Sequence, residues 1–129
     1  MHKRYARLVI GDEPRHDRVV VTDEAQRVVA LARAEVELLG APAVGPEHLA
    51  VGLVAVGAGP PGLTVEAARA AARDAPRRRP DRAGISAPAR RVLEQSLREC
   101  VARGELELRP EHLMLALTRA PGRNVRTAA

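Results

Sequence analysis

Apolar side chains recur at helical spacing in two separate stretches of the chain. The first stretch contains Ala25, Val28, Val29, Ala32, Val36 and Leu39. The second contains Ala89, Val92, Leu93, Ser96 and Cys100. Positions three or four apart lie on one face of a helix, so each stretch predicts an amphipathic helix. A pair of leucines four apart follows each stretch and predicts a second, shorter helix: Leu49 with Leu53, and Leu113 with Leu117.

Helix-start and helix-end residues frame these patterns. Thr22 and Ser86 stand directly before the two long stretches, where a hydroxyl can accept a hydrogen bond from a helix-start N–H. Gly40 and Gly104 follow them, as glycine often does at a helix end. The shorter helices are predicted to begin at Pro46 and Pro110.

The two stretches belong to an internal duplication. A shift of 64 residues aligns 22–53 (copy 1) with 86–117 (copy 2), and ten of the 32 positions are identical. The identical pairs are Ala25/Ala89, Arg27/Arg91, Val28/Val92, Glu35/Glu99, Gly40/Gly104, Pro46/Pro110, Glu47/Glu111, His48/His112, Leu49/Leu113 and Leu53/Leu117. We therefore predict an all-α fold built from a tandem, pseudo-symmetric repeat of helical motifs.

The remaining segments are assigned around this repeat. An Ala-rich helix is predicted over Thr64–Asp74, and two short strands, over Arg7–Ile10 and Arg18–Val21, could form an N-terminal β-hairpin. The expected organisation is an N-terminal extension (1–20), a first repeat (21–75), a basic linker (76–84), a second, truncated repeat (85–119) and a tail (120–129).

Composition narrows the functional classes. The 129 residues include one Tyr, no Phe and no Trp, so the core must consist of Ala, Val and Leu. A lone cysteine, Cys100, and the lack of a signal-peptide pattern or a long apolar run indicate a soluble cytoplasmic protein. The net charge of +5 keeps a basic helical nucleic-acid-binding protein open as an alternative. The absence of aromatic residues for base stacking argues against it.

The motifs resemble those of a known family. Each copy begins with Thr/Ser-x-x-Ala-x-Arg-Val and carries Pro-Glu-His-Leu about 25 residues later, at 46–49 and 110–113. This pair of motifs, over 22–119, resembles the N-terminal repeat domain of Clp ATPase chaperones of the ClpC type. No ATPase modules accompany it in this chain. The resemblance implies a noncatalytic module that binds tagged or unfolded proteins as an adaptor, decoy or regulator.

The resemblance also implies two binding pockets for phosphorylated arginine. In such domains the glutamate of Glu-His-Leu faces the guanidinium group, and the helix-start hydroxyl lies near the phosphate. Carried over by position, the pockets are Glu47 with Thr22, and Glu111 with Ser86. Paired carboxylate–guanidinium hydrogen bonds and a helix N-terminus suit the two ends of this ligand. The implied partners are arginine-phosphorylated substrate proteins or peptides and a full-length Clp ATPase, and we expect no membrane partner.

Structural roles compete with these assignments. Glu47 and Glu111 could simply stabilise the first turn of a helix, which needs no ligand. The histidines at 48 and 112 are expected to be packed structural residues, Cys100 a core residue and Arg77–Arg79 a solvated linker. No nucleophile–base arrangement and no metal-ligand spacing is present, so we expect no enzyme activity, cofactor or metal.

Overall fold

The computed structural model describes residues 4–5 and 19–119, which form five helices and three two-residue strands. The helices are α1 (Asp23–Leu39), α2 (Pro46–Ala55), α3 (Val65–Arg73), α4 (Ala87–Ala102) and α5 (Pro110–Arg119). The strands are β1 (Arg4–Tyr5), β2 (Val20–Val21) and β3 (Glu107–Leu108). The all-α prediction is confirmed, and the predicted Ala-rich helix is α3.

The predicted caps hold the helix starts. Thr22, Thr64 and Ser86 each accept a hydrogen bond from a backbone N–H three residues later, at 3.2, 3.1 and 3.3 Å respectively. Gly40 and Gly104 follow α1 and α4 with φ of 67° and 71°, a left-handed conformation that glycine adopts without steric cost. The capping and helix-end predictions are therefore confirmed.

A short strand pair is present near the N-terminus, as predicted. β1 pairs antiparallel with β2, with Arg4 opposite Val21 and Tyr5 opposite Val20. β2 falls within the predicted strand at 18–21, whereas the strand predicted at 7–10 and the predicted tail at 120–129 lie outside the described residues.

Helices α1 and α2 form an antiparallel hairpin. Gly52, late in α2, lies so close to α1 that a Cβ atom there would be 2.4 Å from the carbonyl oxygen of Val28, early in α1. At the other end, His48 of α2 and Leu39 of α1 line one cavity. The start of α2 therefore lies at the end of α1, and glycine at position 52 permits the close approach.

Two short parallel pairings join the copies to each other. β2 pairs with β3, placing Val21 beside Leu108, and an isolated parallel bridge joins Val44 to Ile85. A shift of 64 residues maps 21 onto 85 and 44 onto 108, so each pairing is the counterpart of the other. The copies are thus related by a pseudo-twofold arrangement. In each pairing, the segment before one copy's first helix lies beside the segment before the other copy's second helix.

One aliphatic core spans both copies. Its buried members come from four of the five helices and from the strands, and none is aromatic. Seven of these core members are each at most 2% exposed: Val28, Leu49, Leu53, Ala89, Leu97, Leu113 and Leu117. A smaller cluster, formed by Val51, Ala68 and Ala72, attaches α3 to the outer face of α2. Helix α3 therefore packs on copy 1, and no corresponding helix follows α5 in the described residues.

A carboxylate-centred loop sets the position of α4. Asp81 accepts hydrogen bonds from the backbone N–H groups of Ala83 (2.7 Å) and Ile85 (3.0 Å) and forms an ion pair with Arg90. The Ile85 hydrogen bond and the Arg90 guanidinium lower the pKa of Asp81 to about 2. The loop thereby keeps Ile85 paired with Val44 and keeps Ser86 in place to cap the start of α4.

Replacing the glycine at the α1–α2 contact tests the close approach. Gly52→Ala should lower the free energy of unfolding by about 1–3 kcal/mol, because the new methyl group forces the helices apart. This loss should exceed the gain in helix propensity of about 1 kcal/mol. Urea unfolding followed by circular dichroism measures the difference. A stabilised variant would contradict the packing described.

Acid sensitivity tests the Asp81 loop. The pKa of Asp81 is about 2 in the folded chain against an ordinary value of 3.8, so protonation favours the unfolded chain between these values. The wild-type free energy of unfolding should therefore fall as the pH drops from about 4 to about 2. Asp81→Asn should be less stable at pH 6 and lose less over that interval, as urea titrations at several pH values would show. Equal pH dependence of the two proteins would refute this role.

Candidate functional site

The two predicted glutamates occupy equivalent positions in different surroundings. Glu47 and Glu111 lie in the first turns of α2 and α5. The Glu47 side chain is only 10% exposed and pairs with Arg78, whose Nη1 and Nη2 atoms lie 2.8 and 3.4 Å from its carboxylate oxygens. Glu111, in contrast, is exposed to solvent. Of the two carboxylates, Glu111 is the more accessible to a ligand.

The two helix-start hydroxyls are engaged within the fold. The Thr22 hydroxyl donates to the carbonyl oxygen of Leu108 (2.9 Å) and accepts from the N–H of Ala25 (3.2 Å). Ser86 is fully buried and accepts from the N–H of Ala89. A ligand near either helix start would therefore meet backbone N–H groups more readily than these hydroxyls.

The structure does not bring together the residues paired within each copy. Glu47 begins α2, which lies at the end of α1, whereas Thr22 precedes the start of α1. The 17 residues of α1 span about 25 Å at 1.5 Å per residue, so Thr22 and Glu47 lie at opposite ends of the hairpin. The predicted pairing of Thr22 with Glu47, and by symmetry of Ser86 with Glu111, is wrong because it ignored this antiparallel geometry.

Contacts between the copies create the alternative pairing. The N–H of Ser86 donates to the carbonyl oxygen of Val44 (2.9 Å), three residues before Glu47. The N–H of Thr22 donates to the carbonyl oxygen of Leu108 (3.1 Å), three residues before Glu111. We define the Glu47 site as Glu47 with the start of α4, and the Glu111 site as Glu111 with the start of α1.

The two sites differ in the charge of their helix starts. Helix α4 has no acidic residue in its first turn, whereas α1 begins with Asp23 and Glu24. A helix N-terminus favours an anion, and neighbouring carboxylates oppose one. The Glu47 site thus has the helix start better suited to a phosphate, and the Glu111 site has the more open carboxylate.

Arg78 was not recognised as a site residue from the sequence. It belongs to the segment predicted to be a solvated linker, and this prediction is wrong for Arg78, whose side chain is 15% exposed and paired with Glu47. Gly45 makes room for it, since a Cβ atom there would lie 2.8 Å from Arg78 Nη1. The corresponding residue of copy 2 is Arg109, so this glycine–arginine difference was the available signal.

Both histidines are packed, as predicted. His48 is 4% exposed and His112 is fully buried. In each ring Nδ1 accepts a backbone hydrogen bond, from the N–H of Gly45 (2.9 Å) and of Arg109 (2.8 Å) respectively. Burial lowers the pKa of His48, which keeps its ring neutral near pH 7. These rings brace the loops that lead into α2 and α5.

Cys100 is a core residue, as predicted. It is fully buried, and its Sγ atom lies 3.2 Å from the carbonyl oxygen of Glu105. Burial raises the pKa of the Cys100 thiol to about 11, so the nucleophilic thiolate is scarce at neutral pH.

Residues 4–5 and 19–119 contain neither a metal-binding cluster nor a membrane-spanning helix. Within them, no group of three or more His, Cys, Asp or Glu side chains is arranged to hold a metal ion. No helix in this part of the chain is long and apolar enough to cross a membrane.

Comparison with known proteins identifies the fold. No protein-family model matches the chain. Among solved structures, it is similar to the crystal structure of the N-terminal domain of the caseinolytic protease-associated chaperone ClpD from Arabidopsis thaliana. The match has a TM-score of 0.68 and 22% sequence identity, and it covers 93% of this chain and 90% of that domain. The chain therefore has a Clp N-domain-like fold, as its repeated motifs indicated.

Proposed function

We propose that this protein is a noncatalytic protein-binding module of the Clp chaperone system. The carrying observation is that the backbone three residues before each repeated glutamate, at Val44 and at Leu108, is hydrogen-bonded to the start of the other copy's first helix. The similarity to the ClpD N-terminal domain over 93% of the chain supports this assignment. The proposed ligands are substrate proteins, including proteins phosphorylated on arginine.

The observed Glu47–Arg78 pair supports guanidinium recognition. The carboxylate receives two hydrogen bonds from one guanidinium group, the geometry that gives arginine–carboxylate recognition its specificity. A ligand arginine at the Glu47 site would take the place of Arg78. At the Glu111 site the carboxylate is already exposed.

The helix starts supply the complementary chemistry for a phosphate. The first N–H groups of a helix have no partner within the helix, and the helix dipole is positive there. A phosphoarginine carries its phosphate on the guanidinium group, so one ligand can contact the carboxylate and the helix start together. The proposed ligand contacts are Glu47 and Glu111, with Ser86 and Thr22 marking the helix starts rather than donating their hydroxyl hydrogens.

The proposed partner in the cell is a full-length Clp ATPase. A separate binding module can deliver substrates to the ATPase or compete with it for them. A degradation assay with a ClpC-type ATPase, its protease and an arginine-phosphorylated substrate distinguishes these modes. Faster degradation on adding this protein identifies an adaptor, and slower degradation identifies a decoy.

The nucleic-acid alternative is weakened by how the arginines are used. Five of them form ion pairs with carboxylates of the same chain: Arg69, Arg78, Arg90, Arg109 and Arg119. Nucleic-acid binding needs cations that are free to contact phosphates, and internal pairing removes these five from that role.

Calorimetry with a phosphoarginine peptide tests the proposed ligand. The wild type should bind it, and should bind the unphosphorylated and phosphoserine peptides at least tenfold more weakly. Glu47→Ala and Glu111→Ala should each remove one site, because each deletes one guanidinium acceptor. Glu66→Ala is the matched control, since it removes a first-turn carboxylate of α3 that belongs to neither site. Absence of binding by the folded wild type would refute the phosphoarginine assignment.

Removing the internal guanidinium tests whether Arg78 competes with ligand. Arg78→Ala should tighten binding at the Glu47 site by about fivefold, roughly 1 kcal/mol, since the ligand no longer displaces an internal partner. Binding at the Glu111 site should not change, which the double variant Arg78→Ala/Glu47→Ala would isolate. Weaker binding in Arg78→Ala would instead mean that Arg78 contacts the ligand directly.

A further inference from the structure

The cavity lined by Leu39 and His48 lies next to the start of α2, on the side covered by α3. Its volume is about 280 Å³, just below the usual range for small-molecule pockets. Apolar groups of Leu39, Pro42 and Ala72 form part of its wall. The side chains that bring charge to it are Arg73, Arg77 and Arg78, and none of the described residues that line it has a carboxylate. A cavity of this size and charge suits a small anionic group on a short aliphatic stem.

His48 is one of the residues that line this cavity, and its ring carries a buried hydrogen-bond donor without a partner among the described residues. Its Nδ1 accepts from the Gly45 N–H, so in the neutral ring the proton is on Nε2. Nε2 is buried and has no hydrogen-bond partner among the described residues. The whole residue is only 4% exposed. A buried N–H of this kind usually has a partner, and a group that enters the adjoining cavity is the candidate acceptor.

Copy 2 shows which acceptor suits this ring. His112 makes the same Nδ1 contact with the backbone N–H three residues before it. Its Nε2 lies 2.5 Å from a carboxylate oxygen of Glu105, and this hydrogen bond lowers the pKa of Glu105. The duplicated chain therefore contains the same ring with its acceptor in place, and that acceptor is a carboxylate.

Copy 1 lacks this carboxylate but retains the backbone that would carry it. The residue that corresponds to Glu105 is Ala41, which lines the cavity beside His48. Both residues follow a left-handed glycine and donate their N–H to the residue five positions earlier, at 3.0 Å in each case. The cavity thus borders the position at which copy 2 carries Glu105, with alanine in place of glutamate on an equivalent backbone.

The charges around the cavity favour an incoming anion. Arg73 and Arg77 form no ion pair with any described residue, and both are exposed at the rim. The carboxylates of Glu47 and Glu35, which act electrostatically on His48, are each already paired with an arginine, Arg78 and Arg69 respectively. Two free cations therefore remain for a ligand.

We propose that this cavity is a binding site for a carboxylate group of a partner polypeptide. The carboxylate accepts the Nε2–H of His48, as Glu105 does from His112, and its charge is balanced by Arg73 and Arg77. This site adjoins the Glu47 site, because Arg78 lines the cavity and pairs with Glu47, but the proposal does not require phosphoarginine binding there. The carboxylate comes either from an aspartate or glutamate side chain or from a chain terminus.

Nuclear magnetic resonance of the histidine rings tests the site with three matched probes. N-acetylglutamate α-amide offers only a side-chain carboxylate, N-acetylglutamine only an α-carboxylate, and N-acetylglutamine α-amide neither. At constant ionic strength, at least one of the two carboxylate probes should shift the His48 Nε2–H resonance saturably at millimolar concentration. The probe that does so identifies whether the site takes a side-chain carboxylate or an α-carboxylate. The neutral probe should not shift this resonance. No saturable shift with either carboxylate, or an equal shift with the neutral probe, would overturn the proposal.

Variants at position 41 provide the decisive control. Ala41→Glu should supply the carboxylate internally, move the His48 Nε2–H resonance towards that of His112, raise the Tm by about 3 °C and abolish the probe response. Ala41→Leu fills the same space without an acceptor and should abolish the response without moving the resonance. A probe response that survives in Ala41→Glu would place the binding elsewhere and overturn the proposal.

The reverse change is made in copy 2. Glu105→Ala should leave His112 without its carboxylate and lower the Tm, and His112 should then respond to the carboxylate probes as His48 does in the wild type. If the probes do not shift the His112 resonance in a folded Glu105→Ala variant, the environment of His112 in copy 2 does not indicate which ligand His48 binds in copy 1. That result would count against the proposal.

Discussion

The parallel pairing between the copies is the constraint on which the rest of this structure depends. It involves very few backbone hydrogen bonds, at Val21–Leu108 and at Val44–Ile85. These bonds fix the start of each copy's first helix against the loop that leads into the other copy's second helix. Because the helix hairpins are antiparallel, this pairing is what brings the start of each copy's first helix towards the Glu-His-Leu motif of the other copy. Core packing, loop conformation and site geometry all follow from it.

Most of the helical framework could be predicted from the sequence, because the signals are local. The caps at Thr22 and Ser86, the prolines that begin α2 and α5, and the glycines after α1 and α4 each act within a few residues of their position. The way the copies meet could not be predicted in this way. Strands of two residues carry no alternating pattern, and a duplication says that two units are alike without saying how they face each other.

In the candidate site, too, local features could be predicted from the sequence, whereas contacts between distant segments could not. The glutamates were found because their motif is repeated, but their partners were assigned within each copy, and helix direction makes this impossible. Arg78 was missed because its carboxylate partner is 31 residues away and belongs to another element. The differences at positions 41 and 105, and at 45 and 109, were visible in the aligned copies. Their meaning depends on which side chains meet in space, and only the fold supplies that.

The cross-copy construction has a consequence for how such a protein can arise. Exchange of the copies maps one pairing onto the other, which is the relation between two subunits of an isologous dimer. Two separate chains, each with a single helix hairpin, could therefore build both sites by symmetric association. Fusion into one chain then frees each half to diverge, so that one histidine keeps an internal carboxylate and the other faces a cavity. Cutting the chain within 76–84 and separating the halves would divide both sites at once, since neither half contains a complete one.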